Sequence, residues 1–139
     1  MLQIDPYLFF DGNCADAMRF YERTLGGKLE ALMKYAEMPG ECDQMPPGSA
    51  ERIMHARLII DGRAVMASDS VGQPYNGMKG FSVSLAYPTA ADARRVFDLL
   101  AEGGKVMLPM EKTFWAEGFG MLTDRYGTPW MVGGGMAGV

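Results

Sequence analysis

Two halves of this chain repeat one another, and the repeat limits the fold more than any other feature. Leu8 matches Leu85, Phe20 matches Phe97, Gly26-Gly27-Lys28 matches Gly103-Gly104-Lys105 and Met33 matches Met110, each pair 77 residues apart. Both halves read as strand, helix, strand. Residues 2–10 are apolar and β-rich, and Asp11-Gly12 turns the chain. Asn13 stands where it can cap a helix beginning at Cys14, and Ala17, Phe20, Tyr21, Thr24 and Leu25 fall on one helical face. Gly26 suits the left-handed position past the helix end, and residues 28–35 resume as a strand. In the second half, residues 80–87 alternate as a strand and Thr89 with Asp92 forms a helix-start pattern. Ala93, Val96, Phe97 and Leu100 make the apolar stripe, Gly103-Gly104 ends the helix, and residues 105–110 form a strand.

A hairpin closes each half. Asp61-Gly62 joins residues 53–60 to 63–68 by a turn that Asp-Gly favours, and Tyr126-Gly127 joins 119–123 to 128–132. The hairpins match at an offset of 65, so the first half carries 12 extra residues (77 minus 65), which fall in the Pro- and Gly-rich stretch 36–51. A loop of that length is expected to be functional or mobile. Residues 69–79 read as a linker. The stretch 111–132 holds both tryptophans; alternation sends Trp130 to the core, and Asp124, opening the turn, is expected to bond its own backbone.

The length, 139 residues, is that of one domain able to bury a core without staples. The net charge of -4, with no basic run, argues against nucleic acid and against an anionic membrane surface. Cys14 and Cys42 are too few and too far apart for a disulfide framework or a structural zinc site. Cys14 reads as a small buried hydrophobe beside a cap, and Cys42 as an exposed loop thiol. No signal-peptide pattern opens the chain and no apolar run is long enough to span a membrane, so a soluble, cytoplasmic setting is expected. The 13 methionines suit a soft core or an adaptable binding surface.

The repeating residues also carry a resemblance. YLFFDGNCADAMRFYERTLGG, MHARLIIDGRAVMASD, EGGKVMLPMEKTFW and FGMLTDRYGTPWMV together resemble the PhnB-like branch of the vicinal oxygen chelate superfamily, the group of glyoxalase I, extradiol dioxygenases and fosfomycin and bleomycin resistance proteins. The resemblance covers nearly the whole chain. It implies an α+β fold in which 1–139 is one domain built of two βαβββ modules, about 1–69 and about 80–133. Their antiparallel-rich curved sheets would enclose a concave pocket, with the helices on the convex face. It also implies a homodimer. PhnB-like proteins are often labelled ubiquinone-pathway methyltransferases. This sequence has no Gly-rich strand-to-helix turn followed by an acidic ribose-binding residue, so no nucleotide cofactor is expected.

Metal enzymes of the superfamily take one ligand from the first and last strand of each module, typically His or Glu. Alternation sends Leu8 and Phe10, Val65 and Ala67, Phe81, Val83 and Leu85, and Trp130 and Val132 to the helix side. Asp5, Tyr7 and Phe9, Met66 and Ser68, Ser82 and Ser84, and Met131 are left for the pocket. The ligand positions then fall near Asp5, Met66, Ser82 and Met131. Only Asp5 suits a hard divalent ion, so no metal is expected.

The sole histidine, His55, shares a strand face with Arg57. They read either as a general base or anion contact with an anion clamp, or as rim residues in ordinary polar pairs. Phe114-Trp115 stands at the family's aromatic pair and reads either as a pocket cover or as dimer packing. Glu102, Glu111 and Glu117 look like solvated charges. The sequence thus predicts a metal-free, largely apolar site for a small organic molecule. Its walls would be Tyr7, Phe9, Met66 and Met131, its hydroxyls Ser68, Ser82 and Ser84, its anchors His55 and Arg57, and its cover Phe114 and Trp115. The alternative is a lyase or isomerase using His55 as base or a divalent metal held by Asp5 and His55.

Overall fold

Strand β1 (Tyr7–Phe10) buries Leu8 and Phe10 and leaves Tyr7 and Phe9 largely exposed, a period-2 pattern that marks one covered face and one open face. The structure is a computed structural model that describes residues 1–38 and 45–137. The chain divides into two units, Met1–Gly77 and Met78–Val139.

In the first unit, helix α1 (Cys14–Leu25) follows β1 and precedes β2 (Lys28–Lys34), β3 (Ile53–Ile60) and β4 (Arg63–Asp69). The sheet runs β1-β4-β3-β2, with β1 parallel to β4 and the other pairs antiparallel. Helix α1 packs Ala17, Met18, Phe20 and Tyr21 against the face of β3 and β4 that carries Ala56, Leu58 and Ala67. The second unit repeats the plan with β5 (Val83–Tyr87), α2 (Ala90–Ala101), β6 (Lys105–Glu111), β7 (Ala116–Thr123) and β8 (Pro129–Met136). Its sheet runs β5-β8-β7-β6, again with first and last strands parallel. Each unit is therefore a βαβββ module with a mixed four-stranded sheet, the expected α+β architecture.

The deviations have local causes. β1 starts at Tyr7 because Pro6 has no N–H for the ladder; its carbonyl still accepts from Met66. β5 starts at Val83, after Gly80 in the left-handed region, and Phe81 is 45% exposed rather than packed under the helix. Tyr35 leaves β2 and enters a 3₁₀ turn, Tyr35–Glu37. Cys42 and the middle of the 36–51 loop lie outside the described residues.

The hairpin register is also finer than a single offset. Met66 pairs with Arg57, whereas Met131 pairs with Met121. The return strands thus match at 65 but the outgoing strands at 64 (121 minus 57), because the second turn is one residue longer. That turn is organised by Asp124, which accepts from the Tyr126 and Thr128 amides, as anticipated, and also from Trp130 Nε1 at 2.8 Å. The bond satisfies the one polar atom of a tryptophan only 1% exposed in the core.

Helix α1 starts at Cys14 as expected, but the Asn13 side chain makes no capping bond. The carboxylate of Asp69, at the end of β4, replaces it. Oδ1 accepts from the Gly12 and Cys14 amides at 2.8 and 3.0 Å, and Oδ2 accepts from the Ile53 amide at 2.8 Å. Helix α2 caps itself through Thr89, whose hydroxyl accepts from the Asp92 amide.

Candidate functional site

Strand register assembles the first unit's open face. Tyr7 on β1 pairs with Met66 on β4, Met66 with Arg57 on β3, and Arg57 with Ala31 on β2, making one row. Phe9 pairs with Ser68, and His55 with Met33, on the same face. Six of the sequence-predicted site residues, Tyr7, Phe9, His55, Arg57, Met66 and Ser68, therefore share this surface opposite α1.

Two polar contacts define its chemistry. The Tyr7 hydroxyl lies 3.2 Å from His55 Nδ1, with the two rings tilted by 31°. Phe9 packs beside Tyr7, ring centroids 5.3 Å apart. Arg57 donates to Glu30 Oε1 at 2.6 Å. A clamp on an external anion would have to compete with this carboxylate.

At one end of the face lies a cleft of about 500 Å³, lined by Phe9, Ser68, Tyr35 and residues 69–71, 73–77. Its outer wall is the stretch read from sequence as a linker. Tyr75 holds that wall by donating to the Phe9 carbonyl at 2.8 Å. Arg52 Nη1 donates to the Ser70 carbonyl at 2.7 Å and to Asp11 at 2.9 Å, tying the wall's start to the turn before α1. Tyr35, Tyr75 and the 69–77 wall were not among the predicted site residues. The available signal was an aromatic residue, Tyr75, within a Gly-, Pro- and Asn-rich connection.

Burial and nearby negative charge act on the phenols of the cleft. Burial pushes the Tyr35 phenol above its ordinary range, with smaller contributions from Tyr7 and Asp69. Burial likewise raises Tyr75, helped by Asp11 and Asp69. Cys14 is fully buried; desolvation first, then the Asp69 charge, drives its thiol far above the usual range. It is thus a protonated core residue despite its place at a helix N-terminus.

The second unit forms its own open face. Ser84 pairs with Met131, Met131 with Met121 and Met121 with Leu108. By register, Met121 and Phe119 occupy the places that Arg57 and His55 hold in the first unit, so the second face lacks that polar pair. Ser82 precedes β5. Phe114 is 92% exposed at the tip between β6 and β7, edge-on to the Trp115 ring, which also packs edge-on to Phe119.

The positions expected for a chelated divalent ion hold Asp5 and Met66 in the first unit and Ser82 and Met131 in the second. Two thioethers, a hydroxyl and one carboxylate do not fit a hard divalent ion. Among the described residues there is no group of three or more His, Cys, Asp or Glu side chains able to hold a metal. Nor is any described helix long and apolar enough to cross a membrane.

A family model, that of the Glyoxalase/Bleomycin resistance protein/Dioxygenase superfamily, matches residues 3–132. Protein YjdN of Escherichia coli (strain K12) is 37% identical over 138 residues, 94% of each chain. Protein PA1353 from Pseudomonas aeruginosa has a solved structure that matches with a TM-score of 0.88 at 48% identity, covering 96% of this chain and 97% of that one. The PhnB protein from Bacillus cereus, provisionally labelled a 3-demethylubiquinone-9 3-methyltransferase, matches with a TM-score of 0.77 at 26% identity, covering 94% and 97%.

Proposed function

Because the chain belongs to the glyoxalase/bleomycin resistance/dioxygenase superfamily, in its PhnB-like branch, we propose that it binds a small organic molecule, without a metal, on the open face of its first unit. The cleft of about 500 Å³ beside Phe9 and Ser68 carries this reading, since small-molecule sites span about 300–1,000 Å³. Phe9 and Ser68 line the cleft itself, and Tyr7 and Met66 continue the apolar wall across the open face beside it. His55, oriented by Tyr7, is the polar anchor, and Arg57 acts as an anchor only by exchanging Glu30 for the ligand. On the second unit, Ser82, Ser84 and Met131 serve as contacts of its own open face, with Phe114 and Trp115 as an aromatic tip. The protein acts as a homodimer.

Native mass spectrometry of freshly purified protein tests the binding reading. A co-purified small molecule, lost in Phe9→Ala, is the expected result. Absence of any such molecule, together with no thermal shift in a broad small-molecule screen, would overturn it. Stoichiometric Ni, Zn, Mn or Fe that disappears on mutating Asp5 or His55 would overturn the metal-free part alone.

The Tyr7–His55 contact favours a second reading, a lyase or isomerase that uses His55 as general base. A partner at Nδ1 sets which ring nitrogen carries the proton and so whether Nε2 gives or takes one. Turnover of the co-purified molecule that His55→Gln abolishes without changing Tm would establish it.

A further inference from the structure

The cleft beside Phe9 has an unusual charge balance for a small-molecule site. Among the described residues, no Lys, Arg, His or Glu lines it, and the one formal charge is Asp69. That carboxylate is already engaged by the Gly12 and Cys14 amides at the start of α1 and by the Ile53 amide. The charges nearby are also paired. Arg52 meets Asp11 at 2.9 Å, and Arg57 meets Glu30 at 2.6 Å. An anionic ligand would surrender its hydration beside the Asp69 charge, and a cationic one could not pair directly with a carboxylate that is only 2% exposed and already bonded to three amides. An uncharged ligand avoids that cost.

The remaining lining sets the shape. Phe9, Tyr35 and Tyr75 present three aromatic rings, and Tyr75 is pinned to the Phe9 backbone by its hydroxyl. Rings of this kind reward a planar partner by stacking or edge contact. Ser68, Gln73 and Asn76 add hydroxyl and amide groups for hydrogen bonds. Both phenols are uncharged at neutral pH, as tyrosines ordinarily are.

We infer that the first unit's cleft selects an uncharged, planar aromatic molecule carrying hydrogen-bonding groups. The inference rests on the binding reading above and narrows it to a ligand class.

Benzamide, benzoate and benzamidinium test it, because they are near-isosteres that differ in charge. Ligand-observed NMR titrations at pH 7 should show benzamide binding at least about tenfold more tightly than either ion, a difference equal to about 1.4 kcal/mol. Phe9→Ala, at a half-exposed position, should weaken benzamide about fivefold or more while Tm stays within a few degrees. Equal or tighter binding of benzoate or benzamidinium would overturn the inference and leave the binding reading standing. No binding of any probe up to about 10 mM, a limit of only about 3 kcal/mol in affinity, would also overturn it. A co-purified molecule found in that last case would preserve the broader reading, and its absence from both experiments would remove both.

Discussion

Asp69 and Gly134 occupy the same position in the two units: Asp69 pairs with Phe10 across β4 and β1, and Gly134 with Tyr87 across β8 and β5. Both abut the start of the unit's helix. In the first unit the side chain at this position caps α1. In the second, its absence makes room for Thr89 and Ala90, and the helix caps itself. One repeat solves the same unsatisfied-amide problem with a distant carboxylate, the other with a local hydroxyl.

Replacing Asp69 should therefore cost far more than replacing an ordinary cap. Asp69→Ala strands the Gly12, Cys14 and Ile53 amides, and a loss of about 3 kcal/mol or more is expected. Asp69→Asn, which keeps one acceptor oxygen, should fall between the two. Urea denaturation of both variants measures the difference.

Gly134→Ala should be damaging for a steric reason. An added Cβ would collide with the Thr89 carbonyl and the Ala90 backbone, neither of which can rotate away. A cost of about 2–3 kcal/mol is expected, against about 1 kcal/mol at Gly127, where a Cβ meets nothing within 4 Å and only the left-handed φ of 92° adds strain. Thermal unfolding of the two alanine variants should rank them in that order.

Cys14 imposes a pH dependence. Its folded thiol pKa is raised, chiefly by burial, whereas an unfolded cysteine titrates at about 8.5. Below that value both states hold the proton and Cys14 contributes no slope. Above it the unfolded chain releases the proton and the native state keeps it, so stability falls as pH rises, by up to about 1.4 kcal/mol per unit. In a Cys42→Ala background, stability measured from pH 7 to about 9.5, below the range where tyrosines titrate, should show this slope, and Cys14→Ala should remove it. The native thiol should likewise resist iodoacetamide until the protein unfolds.

Tyr7→Phe separates positioning from stability. The Tyr7–His55 contact is exposed, so its loss should change unfolding free energy by less than about 0.5 kcal/mol. If His55 is the polar anchor proposed above, affinity for the co-purified molecule should drop about two- to tenfold, the worth of one hydrogen bond. Calorimetry on the same preparation reads both.

The element order, the two-fold repeat and the covered faces of β1 and β8 were legible in the sequence, because alternation and helical spacing are properties of consecutive residues. Leu8, Phe10, Trp130 and Val132 are buried as their strand parity required. The site was legible only as candidates, six of which share the first unit's open face while five lie on the second unit. Its wiring joins residues far apart in the chain: Tyr7 to His55, Arg57 to Glu30, Asp69 to Cys14 and Tyr75 to Phe9. Glu30 shows why such links escape a linear reading. Between Leu29 and Ala31 the β2–β3 register slips, leaving Glu30 as the extra residue of a bulge, from which its carboxylate reaches Arg57. Whether Arg57 is paired or available is thus decided by a one-residue irregularity in a neighbouring strand. The cleft depends in the same way on where residues 69–77 are held by Arg52 and Tyr75, contacts that exist only once the sheet has formed.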